Sequence, residues 1–283
     1  MAESYVRNWR DAVELPRGLV AQTRLFARNR LLDVLSRRAP PTPVKALRCL
    51  FCHYVFDDQL HAFEQLLQML KGLGRFVDTP TALRMVRGEE EIDGPCFHLS
   101  FDDGLRNNFV NALPILSKLE VPCIFFVPPA LMDADYAGAA RYCLEITRYR
   151  GVIEMARWTD LREAIAAGFE IGSHSLSHAR LSAISSDPAQ LHAEIAGSRQ
   201  LLEDQLGVPC RYIAWPYGTL DDIDAAGFAG FRAAGYEGAF GNFRAPVLPG
   251  KTDVLSIPRH HFEPQWPAPH VRYFSCGGWE QAA

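Results

Sequence analysis

No apolar run in the chain approaches the ~18 residues needed to cross a bilayer, and the first residues lack the apolar stretch of a secretory signal. A cytoplasmic location is therefore expected. Charge of one sign is not in excess either. Lys and Arg number 29 and Asp and Glu 33, and the net charge of −4 gives no global reason to expect nucleic-acid binding. The seven cysteines are odd in number and scattered from Cys49 to Cys276 without a framework spacing, which points to a reducing compartment rather than a disulfide-stapled fold. One C-x-x-C exists, Cys49 and Cys52, but no second completes a tetrahedral zinc site. It lies inside the apolar run 47–52 and reads as part of a buried strand.

What is present is an ordinary globular composition, 48% hydrophobic and 22% charged, with room in 283 residues for one large core. Residues 1–45 stand apart as a basic extension and linker before a main domain at 46–283. The extension carries Arg7, Arg10, Arg17, Arg24, Arg28, Arg30, Arg37 and Arg38. Apolar residues recur at helical spacing from Leu19 to Leu35, which predicts an amphipathic helix with a cationic face. Such a helix can lie on an anionic membrane surface or pack across the main domain with its arginines solvated. Residues 39–43, Ala-Pro-Pro-Thr-Pro, read as a stiff linker.

From Leu47 onward strand-like and helix-like stretches alternate. Strands are expected at 47–52, 95–101, 122–127, 169–172, 211–215, 237–240 and 254–257, with helices at 59–73, 107–119, 159–167, 188–206 and 222–234. Alternation of this kind implies parallel strands joined by crossover helices. About seven strands with polar groups at several strand ends favour a barrel, in which chemistry gathers at the C-terminal ends of the strands. Asp102-Asp103, His174 and His178, Trp215 to Gly218, and Arg259-His260-His261 each follow one of these strands.

Asp102 and Asp103 are like charges side by side at a strand end, unfavourable unless a cation neutralises one of them. His174-Ser-Leu-Ser-His178 has the i, i+4 spacing that puts two imidazoles on one face of a helical turn. Added to Asp103, the pair makes a ligand set with open positions, suited to a catalytic zinc ion or to the iron of facial-triad oxygenases. The spare carboxylate favours hydrolysis, because Asp102 is placed to take a proton from an attacking water.

Ser-Phe-Asp-Asp-Gly at 100–104, His-Ser-Leu-Ser-His at 174–178 and Ala-Trp-Pro-Tyr-Gly at 214–218 resemble three motifs of the polysaccharide deacetylase family, the NodB-homology or carbohydrate esterase family 4 proteins. The resemblance extends over about residues 46 to 262. It implies a distorted (β/α)7 barrel, here with an N-terminal helical extension. It further implies Asp102 as general base and Asp103, His174 and His178 as ligands of a divalent metal, most often zinc, with cobalt, nickel or iron(II) as alternatives. Trp215 and Tyr217 would line the sugar and Arg259 would touch substrate. Three departures stand out. Ala214 occupies the place where many members have the arginine that orients the base. No Asp-Trp fourth motif is present. The nearest match to the fifth motif, which normally supplies a histidine as general acid, is Ile257-Pro-Arg-His-His261, so that His260 or His261 is the candidate acid.

The reaction implied is removal of an N-acetyl group from an amino sugar of a bacterial surface glycan or its precursor, as in lipopolysaccharide or exopolysaccharide biosynthesis. Absence of an export signal favours a nucleotide-linked or lipid-linked precursor, the latter reached by peripheral contact with the inner membrane. Deformylation, O-acetyl ester hydrolysis and a glycan-binding role without turnover are the alternatives. His53 ends the first strand on the same face and is given a structural or supporting role, and oligomeric state is not indicated.

Overall fold

The computed structural model describes residues 4–13, 18–38 and 44–280. Its sheet contains β1 (Ala46–Cys52), β2 (Arg75–Phe76), β3 (Pro95–Phe101), β4 (Ile124–Val127), β5 (Glu170–Ser173), β6 (Tyr212–Ala214), β7 (Gly238–Phe240) and β8 (Arg259–His261). Seven of these run parallel in the order β7-β6-β5-β4-β3-β1-β8, and the two-residue β2 pairs with β3 off that path. The path nearly closes on itself. Ile257, just before β8, bridges Phe240 of β7, its N–H donating to the Ala239 carbonyl at 2.9 Å. The architecture is the expected α/β barrel of seven parallel strands.

Burial on both faces explains why strands such as Ile-Phe-Phe-Val read as continuous apolar runs. Alternation divides the core into two layers. Leu47, Cys49, Cys96, Ile124, Phe126, Ala214 and Phe240 fill the barrel interior. Leu50, Cys52, Phe97, Leu99, Phe101, Phe125 and Val127 face the helices, including Phe63, Leu66, Leu67 and Leu70 of Leu60–Leu73. Gly172 of β5 has no side chain because a Cβ there would lie 2.6 Å from the Phe126 ring. Cys49 and Cys52 point to opposite layers. Burial pushes the Cys49 thiol up to about 12 and the Cys52 thiol well above its ordinary value, and all seven cysteines are free and buried.

The helix Thr79–Arg87 lies in a stretch where the sequence reading placed no element, and it plugs the N-terminal end of the barrel. Its Ala82, Leu83, Met85 and Val86 join the interior layer. Asp78 caps it by accepting from Thr81 N at 2.9 Å, a proline sits at its start, and left-handed Gly88 ends it. Two expected helices are interrupted by wider turns, at Asn108–Ala112 and Ala193–Gly197. The seventh expected strand is displaced. Residues 254–257 contribute the closing bridge at Ile257, and the ladder itself forms at Arg259–His261. This shift puts Arg259, His260 and His261 inside a strand, where successive side chains must take opposite sides.

In the N-terminal extension a short helix, Trp9–Ala12, precedes a long one, Leu19–Arg38. The long helix packs against the C-terminal helix Ala268–Ser275 through buried Leu32 and through Asp33, whose Oδ1 lies 2.9 Å from His270 Nε2. The proposed linker at 39–43 lies outside the described residues. Among the described residues no helix is long and apolar enough to cross a membrane.

Candidate active site

The inward series of β3 is Cys96, His98, Ser100 and then Asp102, so alternation alone delivers Asp102 to the mouth of the barrel. Asp103 would by the same rule point away. A left-handed backbone at Asp103 (φ 74°), followed by Gly104 (φ 64°), turns the chain so that both carboxylates face the same cavity. Glycine is required at 104 by that φ and by the wall behind it, since a Cβ would lie 3.1 Å from the Val127 Cβ.

His174 and His178 do not lie on a helical turn. They sit in the loop after β5, where left-handed Ser175 (φ 58°) and His178 (φ 66°) fold the rings together at a centroid distance of 4.9 Å. The loop is pinned by buried Glu194, whose carboxylate accepts from Ser177 N at 2.9 Å and Ser177 Oγ at 2.5 Å. Nδ1 of His174 donates to the Ala214 carbonyl at 2.7 Å, which leaves Nε2 as a lone-pair donor. The Nε2 atoms of His174 and His178 lie 3.6 and 3.3 Å from Asp103 Oδ1. One ligand atom from each of the three residues falls within 4.8 Å of the others, and all three residues are buried. Burial raises the Asp103 pKa, but the two imidazoles beside it outweigh burial and hold the carboxyl well below the usual range. Two imidazole nitrogens and an ionised carboxylate, pre-gathered by left-handed turns, fit a divalent metal ion.

Asp102 is held by an arginine from elsewhere in the chain. Arg259 of β8 donates from Nη1 to Asp102 Oδ1 and from Nη2 to Oδ2, both at 2.7 Å. Nη1 also donates to Ser100 Oγ at 3.0 Å and Nε to the Gly241 carbonyl at 2.8 Å, and the side chain lies over the Phe51 ring. Burial pushes the Asp102 pKa up, yet the guanidinium overrides it and keeps the carboxyl below its ordinary value. Arg259 is 1% exposed, so it is buried behind the base and does not face a substrate.

The other expected positions also resolve. His260 points to the opposite side of β8 from Arg259, towards Glu280 (3.4 Å) and Arg48, and is buried away from the cavity. His261 shares the inner side with Arg259 and donates to Glu263 at 2.7 Å, but it is His53, not His261, that lines the cavity with His174 and His178. Glu263 binds His53 Nδ1 at 2.6 Å as well, and the His53 and His261 rings are 4.9 Å apart. Burial lowers the His53 pKa, but the Glu263 carboxylate more than compensates and raises it to about 9. Trp215 is fully buried against Phe228, Phe231 and Phe243, with Nε1 donating to the Thr219 carbonyl at 3.1 Å, so it packs the fold and forms no wall for a sugar. Tyr217 is 38% exposed and does line the mouth, with its ring 5.1 Å from His178 and the Arg180 guanidinium stacked over it. Together with Tyr149, whose OH reaches Asp103 Oδ2 at 3.5 Å, these groups enclose a cavity of about 400 Å³.

The sequence profile described as polysaccharide deacetylase matches residues 89–236, more than half of the chain. The chain belongs to the polysaccharide deacetylase family. Within it, this deacetylase-family chain is 24% identical over 200 residues to YxkH of Bacillus subtilis (strain 168), a match spanning 66% of this chain and 64% of that relative's length. Among solved structures it resembles IcaB from Ammonifex degensii, with a TM-score of 0.68, 23% identity and coverage of 82% of this chain and 97% of that one. The Streptococcus pyogenes deacetylase PplD gives 0.66 at 19% identity, covering 82% and 98%. The BpsB deacetylase domain from Bordetella bronchiseptica gives 0.65 at 18%, covering 78% and 98%. At these identities the structural likeness establishes the shared fold of the family.

Motif reading passes over Glu263 alone; it places Arg259 and His53 on this face but pairs neither with Asp102 or Glu263. Period-two alternation places Arg259 and His261 on one side of a strand, but only the register of β8 against β1 says which side.

Proposed function

We propose that this family member hydrolyses an N-acetyl group on an amino sugar of a bacterial surface glycan or its precursor, releasing acetate. The observation that carries the reading is the bidentate Asp102–Arg259 pair set beside Asp103, His174 and His178 in one cavity. A divalent ion held by those three residues, zinc or another of similar ligand preference, would polarise the amide carbonyl and acidify a water. Asp102, kept ionised by Arg259, accepts the proton from the attacking water. His53, kept protonated through Glu263, gives a proton to the departing amine nitrogen. Its Nδ1 is committed to Glu263, which leaves Nε2 as the proton donor. The acid role therefore moves from His260 and His261 to His53, with Glu263 as the group that orients and charges it. Tyr217 supplies the accessible aromatic wall.

The absent third-motif arginine and the blurred fifth motif are what favour a glycan binder without turnover. Arg259 fills that place from another strand, which supports the catalytic reading. IcaB and the BpsB deacetylase domain are neighbours of the fold, and the description of the latter as a deacetylase accords with this reading. The test is incubation of the metal-loaded protein with acetylated and formylated amino sugars and with acetyl esters, with acetate and formate measured separately. Acetate release from the amide, abolished by a chelator and by Asp102→Asn, is expected. Full activity in Asp102→Asn would sink the mechanism.

A further inference from the structure

The helix Leu19–Arg38 carries apolar residues on two opposite sides. Leu25 and Leu32 turn inward, where with Arg28 they meet Trp266, Pro267 and His270. The side turned away from that contact is open. Val20 is 67% exposed and Leu31 and Val34 each 48%; Phe26, further round the helix, is 61% exposed with the Arg30 guanidinium over its ring. At 100° per residue, Val20, Leu31 and Val34 fall within an arc of ~60°, and Arg24, Arg30, Arg37 and Arg38 lie within or beside it. Every one of these arginines is exposed. The helix holds a single acid, Asp33, which lies outside the arc, is engaged by His270 at 2.9 Å and faces Arg30 at 3.8 Å, so that Arg24 and Arg38 have no acid on the helix beside them.

We infer that this outer face docks on an anionic lipid bilayer, with the apolar stripe entering the headgroup boundary and the arginines pairing with lipid phosphates. A solvated helix has no use for a stripe of three exposed apolar side chains, and a neutral partner has no use for a stripe flanked by arginines and free of acids. The placement also suits access. Trp266, against which the helix packs, has its ring 5.1 Å from the His261 ring, and His261 stacks edge-on with His53 at the cavity. The helix that bears this face is thus linked to the cavity wall through Trp266 and His261, which suits a sugar carried on a lipid as substrate.

The test is co-sedimentation of the full-length protein with vesicles of phosphatidylglycerol and phosphatidylcholine in equal parts, compared with phosphatidylcholine alone. Binding is expected to the anionic vesicles only and to weaken as salt is raised. Arg30→Glu with Arg37→Glu, and separately Leu31→Glu with Val34→Glu, should each reduce partition by at least about tenfold. Both pairs are exposed, so their circular dichroism and thermal midpoint should match wild type. These readouts involve no turnover and stand or fall apart from the deacetylase reading. Wild-type protein that stays in the supernatant, or variants that partition like wild type, would overturn the inference. So would a solution dimer that Leu31→Glu with Val34→Glu splits without any vesicle binding, which would assign the face to a second copy of the chain.

Discussion

Replacing Arg259 with methionine keeps the volume and the packing against Phe51 and Phe126 while removing both hydrogen bonds to Asp102. What remains is a carboxylate that is 3% exposed and has lost its cation. Breaking one partner of a buried pair costs ~3–5 kcal/mol, because the other charge is left uncompensated. In a chain of this size each kcal/mol moves the thermal midpoint by ~2 °C, so a fall of about 6–10 °C is expected at neutral pH. Turnover should drop by ~10²-fold or more, since Asp102 then protonates and no longer serves as a base. The sign with pH follows from the Asp102 pKa, which lies below its ordinary value in the wild type. There the pair's stabilisation is present above the unfolded carboxyl pKa and is lost as pH falls through the lower folded value. In Arg259→Met the folded pKa is raised instead, so the stability deficit should shrink on acidification as Asp102 takes up a proton. Scanning calorimetry across pH and a steady-state acetate assay measure both effects. The double variant Asp102→Asn, Arg259→Met removes the orphaned charge and should regain most of the lost stability while staying inactive. Arg259→Met with wild-type midpoint and turnover would refute the reasoning, and a double variant no more stable than the single one would refute the uncompensated-charge argument.

Glu263→Gln should move the alkaline limb of kcat/KM from near pH 9 down towards the ordinary imidazole value of ~6.5, because the carboxylate is what keeps His53 protonated until pH rises through about 9; a pH-rate profile with an unmoved limb would remove His53 from the acid role. Asp103→Ala and His178→Ala should each abolish stoichiometric metal uptake in an equilibrium dialysis measurement, whereas Asp102→Asn should bind metal as wild type does. Glu194→Ala frees the Ser177 amide and hydroxyl and with them the loop that aims His174 and His178. A ~10–100-fold loss of metal affinity in a chelator competition titration is expected, with the far-ultraviolet spectrum unchanged.

Much of this was legible because it is local. Parallel strands buried on both faces announce themselves as apolar runs, and the acidic pair and the two histidines stand within a few residues of strand ends, where a barrel collects its chemistry. The plug helix Thr79–Arg87 leaves little mark in the sequence, since it is short and its apolar face answers to the barrel interior rather than to a sheet surface. Trp215 read as a sugar wall because an aromatic beside Pro-Tyr-Gly at a strand end has that look, and only packing shows its indole sealed under Phe228, Phe231 and Phe243.

The sequence by itself determined the barrel, its family and the residue types gathered at its mouth, because each is written in contiguous segments whose period and turn chemistry are self-contained. Tertiary structure decided who holds whom. Arg259 reaches Asp102 across 157 positions, Glu263 charges His53 across 210, and the left-handed residues Asp103, Ser175 and His178 aim side chains that alternation or a helical turn would have sent elsewhere. Such pairings depend on strand register and on which side of a strand a residue falls. Those are properties of the closed sheet, and no single segment carries them.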